Sequence, residues 1–378
     1  MEKRNGYFDN AATSHPKSES VIHAINHYLQ RGGTYGRVAY DRAVENTRMV
    51  ERCRMQIARL IGCPESDRVV FSANATWAAN AILQRFGFQS GDIVYHSGME
   101  HNAVMRPLTF LEQSVGIVLR QLPSDQYGVV DMNQLYDMDL SDARLVVINH
   151  ASNINGVVQP LWSISRELPQ GVELFVDASQ SLGAVDINVE EMGIDYMIFT
   201  GHKSLGGVTG VGGYYSRRDL EGFVFGGTGS RSDSYLMPEE SPDRYEAGTP
   251  NLVGLAALYA AVCQRVEPRH SRRDFVEMIE SLRLIGGLTI YCARALDGVE
   301  LFSFTHERLT PSQIADRLSQ EFDIDVRQGL HCAPLAHRTL GTFADGTVRV
   351  SLSPFHTLED LNYFRESLLT IISSSTNE

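Results

Sequence analysis

The chain has 378 residues, 43% of them hydrophobic, and carries a formal net charge of −13 at pH 7. This length exceeds that of one ordinary domain, so we expect a large domain and a smaller one. The negative charge argues against a nucleic-acid partner, because phosphate binding requires a basic face. The sequence contains no run of about eighteen apolar residues, which predicts a cytoplasmic protein that does not enter the membrane.

The five cysteines are widely spaced and include no Cys-x-x-Cys pair. This pattern argues against both a disulfide framework and a zinc knuckle, so we expect free thiols and no metal site. The cysteines are Cys53, Cys63, Cys263, Cys292 and Cys332.

Helical and strand-like patterns alternate from about residue 45 to residue 216. This alternation predicts an α/β fold in which a mainly parallel sheet is covered by helices on both faces. The seven predicted strands are Arg68-Ser72, Asp92-His96, Gly116-Leu122, Arg144-Asn149, Glu173-Asp177, Asp195-Phe199 and Gly212-Ser216. The helices predicted between them include Thr76-Phe86, Ala103-Ser114 and Leu161-Leu168.

A stretch rich in Gly, Ser and Pro follows at residues 226–251, and a loop of that length is seldom passive. Residues 252–266 then form an apolar helical pattern that leads into the smaller domain. The strands predicted in that domain are Val299-Phe304, Asp323-Arg327 and Thr347-Leu352. Its predicted helices are Pro311-Phe322 and Leu358-Ser373.

Polar residues follow several of the predicted strands, at the point where each strand ends. Ligands of open parallel sheets bind beyond the carboxyl ends of the strands, so we expect these side chains to share one site. They are Asn74-Ala75-Thr76, His101-Asn102, Ser152-Asn153, Asp177 with Gln180, and His202-Lys203.

Lys203 stands out among these residues, because it follows an apolar strand within the segment Thr200-Gly201-His202-Lys203-Ser204. A lysine attacks a carbonyl carbon to form a Schiff base when burial or a neighbouring positive charge lowers its pKa. Asp177 ends the preceding predicted strand, where a carboxylate could pair with a protonated pyridine nitrogen. Each residue alone is more often an ordinary solvated side chain, and only the ordered set indicates pyridoxal phosphate.

Taken in order, the motifs resemble those of the fold-type I pyridoxal-phosphate enzymes of aminotransferase class V. Within that class, they resemble the cysteine desulfurase and selenocysteine lyase group. The resemblance spans nearly the whole chain. It implies a large cofactor-binding domain at residues 14–255, and a small domain at residues 1–13 and 256–378 that carries a cysteine loop. The matching segments are Tyr7-Phe8-Asp9-Asn10-Ala11-Ala12-Thr13, Met99-Glu100-His101-Asn102, His150-Ala151-Ser152-Asn153, Val176-Asp177-Ala178-Ser179-Gln180, Thr200-Gly201-His202-Lys203, Tyr245-Glu246-Ala247-Gly248-Thr249-Pro250-Asn251, Arg327-Gln328-Gly329-Leu330-His331-Cys332-Ala333-Pro334 and Arg349-Val350-Ser351-Leu352.

The resemblance implies that Lys203 binds the cofactor covalently and that Asp177 pairs with its pyridine nitrogen. It further implies that His101 stacks over the cofactor ring and takes part in proton transfer. Gln180 is expected to form a hydrogen bond with the phenolate oxygen of the cofactor, and Asn153 is expected to lie near the same edge of the ring.

The resemblance also implies a phosphate site. Ala75 and Thr76 start a predicted helix, where free N–H groups and the helix dipole favour an anion. Thr200 and His202 are expected to bind the phosphate as well. Thr249 matches a threonine that reaches the phosphate of a partner subunit, so a homodimer is implied.

Cys332 matches the sulfur-accepting cysteine of the group. Its thiolate would be favoured by positive charge on His331, Arg327 and Arg349. Arg349 matches the arginine that binds the substrate carboxylate, and Asn10 is expected to contact the substrate as well. The implied reaction converts L-cysteine to L-alanine and leaves a persulfide on Cys332, for transfer to an acceptor thiol or protein.

Two alternatives within pyridoxal-phosphate chemistry stay open. A selenocysteine lyase would use the same machinery, although no histidine is present in residues 33–37, near which lyases of this kind commonly have one. An aminotransferase or lyase would use the cofactor without a cysteine nucleophile, and its activity would not depend on Cys332.

Two alternatives lie outside that chemistry. A metal-dependent hydrolase could draw ligands from His96, His101, His150 and His202, but none of their spacings is that of a known metal site. A non-catalytic scaffold could keep the fold without turnover, and the presence of Asp177, Lys203 and Cys332 argues against it.

Overall fold

The computed structural model describes residues 4–36, 39–293 and 298–374, in which seven strands form one large sheet. The strands are β1 (Val69–Ser72), β2 (Ile93–His96), β3 (Val118–Gln121), β4 (Ala143–Asn149), β5 (Glu173–Asp177), β6 (Tyr196–Thr200) and β7 (Gly212–Ser216). Their order is β1-β7-β6-β5-β4-β2-β3. Strand β7 runs antiparallel to both of its neighbours, and the other pairs are parallel. The predicted α/β class with a mainly parallel sheet is confirmed.

Helices cover both faces of this sheet and continue into the second half of the chain. They are α1 (Glu19–Arg31), α2 (Asp41–Leu60), α3 (Ala75–Arg85), α4 (Asn102–Ser114), α5 (Met132–Tyr136), α6 (Leu161–Glu167), α7 (Leu252–Cys263), α8 (Arg272–Arg283), α9 (Pro311–Phe322), α10 (Pro334–Thr339) and α11 (Leu358–Ser374). Within the described part of the chain, no helix has the length and apolar character needed to cross a lipid bilayer.

Strand β4 illustrates how the core is divided. Leu145 and Val147 pack into an apolar layer that includes residues of α3 and α4. Val146 and Ile148 pack into the opposite layer, which includes residues of α2, α6 and α7. Because successive side chains of a strand point to opposite faces, a continuous apolar run is what a doubly covered sheet requires.

A second, antiparallel sheet has the strand order β10-β11-β9-β8. Its strands are β8 (Leu288–Tyr291), β9 (Leu301–His306), β10 (Arg327–Gly329) and β11 (Thr347–Ser351). Its apolar face packs on helices α8, α9 and α11, in a cluster that includes Phe302, Phe304 and Phe364.

The predictions for this sheet missed one strand, β8, and one of them was wrong. The predicted strand Asp323-Arg327 does not form, because Asp323 ends α9 in the left-handed conformation with a φ of 53°. Asp325 then makes an isolated bridge to Tyr7, and the sheet begins only at Arg327.

The N-terminal segment joins the smaller sheet. Asp9 bridges Ser351 in parallel, and Phe8 both donates to Asp325 O at 2.8 Å and accepts from Ser351 N at 2.8 Å. Helix α7 crosses the predicted domain boundary at residue 255 and packs on α1 and α2. The division into residues 14–255 and residues 1–13 with 256–378 stays a prediction. Parts of the predicted small domain, residues 1–3, 294–297 and 375–378, lie outside the described residues. Residue 37, in the segment 33–37 that contains no histidine, also lies outside them.

A buried ion pair ties the end of the long loop to the large sheet. Arg54 of α2 has a side chain only 1% exposed, and its two terminal nitrogens meet the Glu246 carboxylate at 2.7 and 3.0 Å. Glu246 also accepts from Phe71 N at 2.6 Å, and Arg54 donates to Val69 O at 2.6 Å. Removing Glu246 would leave the buried Arg54 with the exposed Glu51 carboxylate, 3.5 Å from its Nε, as a weaker counter-charge.

We therefore expect Glu246→Gln to lower the free energy of unfolding by about 3 kcal/mol, because the buried Arg54 would lose its closest counter-charge. Denaturant unfolding monitored by circular dichroism measures this loss. The matched control is Glu277→Gln, which removes a carboxylate from the exposed Arg273–Glu277 pair and should have no measurable effect. Equal destabilisation by the two changes would contradict the prediction.

Candidate active site

A cavity of about 240 Å³ lies beyond the carboxyl ends of the parallel strands, where the smaller sheet meets them. Most of the predicted site residues line it. They are Ala75, Thr76, His101, Asn153, Asp177, Gln180, Thr200, His202, Lys203, Cys332 and Arg349. Asn74, which was also expected at this site, lines the cavity as well. Further lining residues to which the sequence had given no site role are Ala11, Ala12, Ala103, Asn149 and Ser179. A cavity of this size suits a small molecule.

Lys203 lies just beyond the end of β6. Burial lowers the pKa of its amine to about 8, and the positive charges of Arg349 and Arg327 act in the same direction. The carboxylate of Asp177 opposes this shift. A larger fraction of the amine is therefore uncharged at neutral pH than in an ordinary lysine, which is the form that attacks a carbonyl carbon.

Asp177 is the last residue of β5 and is buried. One of its carboxylate oxygens accepts a hydrogen bond from Ser179 N at 2.9 Å. Strand pairing places Asn149 of β4 directly beside it. A single buried carboxylate fixed by the sheet is thus directed into the cavity.

His101 caps the start of α4. Its Nδ1 accepts from Ala103 N at 3.0 Å, so the neutral ring carries its proton on Nε2. Burial lowers the pKa of His101 to about 4, helped by the positive charge of Lys203. The ring is therefore a neutral group at physiological pH.

Several polar atoms of the cavity wall are buried and have no hydrogen-bond partner among the described residues. They are Asn153 Oδ1, Ser179 Oγ, Thr200 Oγ1 and His202 Nδ1. Buried polar groups are normally paired, so these atoms indicate a polar ligand.

The start of α3 forms one end of the cavity. Asn74 caps this helix by accepting from Trp77 N at 2.9 Å. The N–H groups of Ala75 and Thr76 belong to the first turn and have no carbonyl four residues earlier within the helix. Such N–H groups bind phosphate well. Together with Lys203 and Asp177, this end fits pyridoxal phosphate.

Gln180 lies on the wall near the N-terminal segment. Its side-chain nitrogen donates to Ala11 O at 2.9 Å, which orients the amide group. One of its two N–H groups is used in this way, and the other remains for a ligand oxygen.

The loop between β10 and α10 carries Cys332, which is exposed and lines the cavity. His331 and Cys332 both have left-handed backbones, with φ values of 47° and 58°. Two hydrogen bonds anchor this turn: Asn102 N donates to Cys332 O at 2.8 Å, and Asn153 Nδ2 donates to His331 O at 2.9 Å.

The expectation of a positive charge on His331 was wrong. The ring is buried, and burial together with the charge of Arg349 lowers its pKa to about 2. Its Nε2 lies 3.2 Å from both Thr347 O and Thr347 Oγ1. Of the three charges expected near the thiol, those of Arg327 and Arg349 remain.

Arg349 of β11 is buried, and burial lowers the pKa of its guanidinium from the usual value. Its Nη1 donates to Asn153 O at 3.2 Å, and its Nη2 pairs with the Asp9 carboxylate at 2.5 Å. Its Nε is buried and has no partner among the described residues. Strand pairing places Arg327 of β10 directly beside it.

Two predicted site residues do not line the cavity. Asn10 donates to Tyr7 O and Ser351 O at 2.9 and 3.1 Å and accepts from His15 N at 2.9 Å, so its amide is committed to the backbone. These bonds give Asn10 a structural role, and its predicted substrate contact stays a prediction. Thr249 is exposed on the long loop, and its predicted reach to a partner subunit stays a prediction.

Glu100 is a buried acid for which no site role was predicted. Its Oε1 accepts from Ser97 Oγ at 2.7 Å and from Asn149 N at 2.5 Å. Its Oε2 is buried without a partner among the described residues. Burial raises the pKa of Glu100 to about 8, and the negative charge of Asp177 adds to the rise.

Two of the four histidines considered as metal ligands, His96 and His150, make hydrogen bonds through Nδ1. His150 Nδ1 lies 2.9 Å from Ser181 Oγ, and His96 Nδ1 lies 2.9 Å from Ser97 O. Among residues 4–36, 39–293 and 298–374, no three His, Cys, Asp or Glu side chains are grouped to hold a metal ion.

Curated proteins of similar sequence are named as cysteine desulfurases. A probable cysteine desulfurase of Methanothermobacter thermautotrophicus is 30% identical over 384 residues, which cover 96% of this chain and 93% of that protein. A probable cysteine desulfurase of Xylella fastidiosa is 30% identical over 383 residues, covering 97% of this chain and 90% of that protein.

Solved structures agree with these sequence matches. A cysteine desulfurase from Thermococcus onnurineus superposes with a TM-score of 0.89 at 28% identity, covering 97% of this chain and 94% of that one. A cysteine desulfurase from Escherichia coli, in an S-sulfonic acid form, superposes with a TM-score of 0.85 at 25% identity, covering 97% of this chain and 94% of that one. The profile of the family described as aminotransferase class-V matches residues 6–364. This chain therefore belongs to the aminotransferase class-V family.

Proposed function

We propose that this protein is a pyridoxal-phosphate-dependent cysteine desulfurase that converts L-cysteine to L-alanine and retains the sulfur as a persulfide on Cys332. One observation carries the proposal. The exposed thiol of Cys332 lines the same cavity as a low-pKa lysine, Lys203, and a buried carboxylate, Asp177. An aminotransferase has no need of a thiol in that position.

The residues that would hold pyridoxal phosphate all line the cavity. Lys203 would supply the amine for covalent attachment, and Asp177 would supply the counter-charge for a protonated pyridine nitrogen. The phosphate would be bound by Ala75, Thr76, Thr200 and His202. When bound, the cofactor supplies an electron sink that weakens bonds at the α and β carbons of an amino acid.

Proton transfer falls to Lys203 and His101. The lowered pKa of about 8 lets Lys203 accept a proton from the substrate α carbon and return it later. His101 is neutral with its proton on Nε2, so it can donate a hydrogen bond or a proton at that atom. Arg349 would orient the substrate carboxylate through its planar donors.

Cys332 would take the sulfur. Its thiolate attacks the sulfur atom of the substrate, the new S–S bond forms, and the bond from that sulfur to the β carbon breaks. The electron pair of the broken bond ends on the β carbon and is neutralised by a proton, which gives alanine. Cysteine plus the Cys332 thiol thus become alanine plus the Cys332 persulfide, with no external oxidant or reductant.

A homodimer and a cytoplasmic location belong to the same proposal. Thr249 is exposed on the long loop and lies outside the cavity of its own chain. Such a placement supports a contact with the phosphate bound by a second copy. The ion pair of Arg54 and Glu246 would hold this loop in place three residues before Thr249.

The nucleophile is tested with Cys332→Ala. We expect alanine release from cysteine to fall at least about a hundredfold, because removal of a covalent nucleophile abolishes its step, while the cofactor absorbance is retained. The matched control is Cys263→Ala, which removes another exposed free cysteine and should leave the rate unchanged. Full activity of Cys332→Ala, or amino transfer to keto acids at an undiminished rate, would favour an aminotransferase or lyase instead.

The cofactor lysine is tested with Lys203→Ala. The wild-type protein should show an absorbance band of bound pyridoxal phosphate that shifts on addition of cysteine. In Lys203→Ala the band should be altered or lost, because the covalent attachment is gone. A wild-type protein that gains no band on addition of pyridoxal phosphate would contradict the proposed function as a whole.

Glu100 would keep the negative charge of the site on Asp177. Two buried carboxylates that lie close together do not both ionise readily. Glu100 Oε1 accepts from Ser97 Oγ and Asn149 N, and burial raises the pKa of Glu100 to about 8. It is therefore protonated at neutral pH, and Asp177 is left as the charged member of the two.

The pH dependence of stability tests this assignment. A carboxyl whose pKa is raised by folding contributes stability that is complete below its unfolded pKa and is lost as the pH rises toward the folded value. Between about pH 5 and 8, Glu100 should make the free energy of unfolding fall by up to about 1.4 kcal/mol per pH unit.

Glu100→Gln should remove this component and flatten the curve by the same slope. Denaturant unfolding of the cofactor-free protein across that pH range measures it. If the free energy of unfolding has the same pH dependence in Glu100→Gln and in the wild type, the assignment is contradicted, because folding then does not raise the pKa of Glu100.

A further inference from the structure

Lysine is rare in this chain. Of the 33 basic residues Lys and Arg, only Lys3, Lys17 and Lys203 are lysines. Lys203 is the proposed site of cofactor attachment, and Lys3 lies outside the described residues. Arginine and lysine are not interchangeable, because the ammonium group is a compact charge and the guanidinium group is a planar fork. Lys17 is therefore a place where a compact cation is used in a chain that otherwise uses arginine.

Lys17 lies behind the peptide that joins His202 to Lys203. Its Nζ donates to Ser14 Oγ at 2.6 Å and to His202 O at 3.5 Å. The same carbonyl oxygen accepts from Ser14 N at 2.8 Å, from Ser14 Oγ at 3.1 Å and from Thr13 Oγ1 at 3.2 Å. Both residues of the peptide line the cavity, whereas Lys17 does not. The N-terminal segment thus brings an ammonium group to the back of the cavity wall.

The ammonium group of Lys17 is half-buried and mostly charged at neutral pH. Burial lowers its pKa to about 8, which still lies above 7. Its charge also reaches His202, because it acts together with burial and with Lys203 to lower the pKa of His202 to about 4. The cation is therefore close enough to act electrostatically on a residue of the cavity wall.

The residues proposed to bind the cofactor phosphate carry no charge of their own. Ala75 and Thr76 offer backbone N–H groups at the start of α3, and Thr200 offers a hydroxyl group. His202 is neutral at physiological pH because of its lowered pKa. A phosphate monoester carries a charge of about −1.5 to −2 at pH 7. These donors alone would leave most of that charge without a counter-charge.

The charged groups that line the cavity have other partners in the proposed function. Asp177 pairs with the pyridine nitrogen, and Lys203 makes the covalent attachment. Arg349 binds the substrate carboxylate, and Arg327 is expected beside the thiol of Cys332, which is negative when ionised. The positive charges among them are therefore not assigned to the phosphate.

We propose that Lys17 is a positioning residue that supplies positive charge for the cofactor phosphate from behind the peptide of His202 and Lys203. The ammonium group acts on the phosphate through its charge, and it holds the carbonyl group of His202 in place. The proposal rests on the proposed function, because it assumes that pyridoxal phosphate occupies the cavity with its phosphate beside His202.

A purely structural role of Lys17 makes a different prediction. If Lys17 only holds the N-terminal segment in place, its loss weakens the binding of pyridoxal phosphate and of pyridoxal by the same factor. If Lys17 supplies charge to the phosphate, its loss weakens pyridoxal phosphate and leaves pyridoxal, which has no phosphate, almost unchanged. The ratio of the two dissociation constants therefore separates the two roles.

The test uses the 378-residue chain freed of cofactor, with pyridoxal phosphate and pyridoxal as probes. Their dissociation constants are measured at pH 7 from the absorbance of the bound probe. In Lys17→Gln the preference for pyridoxal phosphate over pyridoxal should fall about tenfold, as expected for the loss of one unit charge several ångströms from an anion at a partly exposed site. Lys17→Met should show the same fall, because it lacks the charge as well.

The comparison of the two variants isolates the charge, because glutamine keeps an N–H donor for Ser14 and His202 and methionine has none. The matched control is Arg273→Gln, which removes one positive charge from an exposed ion pair on α8. This control should leave the ratio unchanged.

An unchanged ratio in Lys17→Gln would overturn the proposal, as would equal weakening of both probes. A fall in Lys17→Met that is absent in Lys17→Gln would also overturn it, because hydrogen bonding and not charge would then be the cause. If one of the two variants fails to fold, the other decides the question through the same ratio. A wild-type protein that binds neither probe would instead contradict the proposed function, so the two failures are distinguishable.

Discussion

Desolvation at the end of β6 is the constraint on which the site depends. An ordinary lysine amine is protonated at neutral pH and cannot attack a carbonyl carbon. Burial brings the pKa of Lys203 to about 8 only because other parts of the chain cover the open end of the parallel strands. The cover comes from the N-terminal segment and from the smaller sheet, through Ala11, Arg327 and Arg349. This requirement explains why residues more than three hundred positions apart share one cavity.

The same desolvation decides which groups in the cavity carry charge. His101 and His331 are neutral, so they act through hydrogen bonds and not through positive charge. Glu100 is protonated for a related reason, since it is buried beside Asp177. The charges of Asp177 and Arg349 remain, and both residues are held in place by strands.

The sequence was a good guide where the pattern is local. Strands β4, β5 and β6 are continuous apolar runs, and the residues that follow them meet in the cavity because parallel strands end at one edge. It was a poor guide where long-range packing decides the outcome. The charge of His331 depends on burial under β11, and the hydrogen bonds of Asn10 depend on a strand about 340 residues later. The predicted strand at Asp323 failed because the end of α9 uses a left-handed residue there.

In the proposed reaction, the loop of Cys332 has to meet two opposed requirements. A nucleophile must stand at a defined place beside the substrate, yet the same sulfur must afterwards meet an external acceptor. Hydrogen bonds from Asn102 and Asn153 fix the backbone on either side of the reactive residue, while the thiol stays exposed. Because the carbonyl groups of His331 and Cys332 are the anchored atoms, the side chain can rotate about its own bonds without moving the loop. Under the proposed function, a fixed backbone with a free thiol would serve both the attack inside the cavity and the delivery of the sulfur to the solvent side.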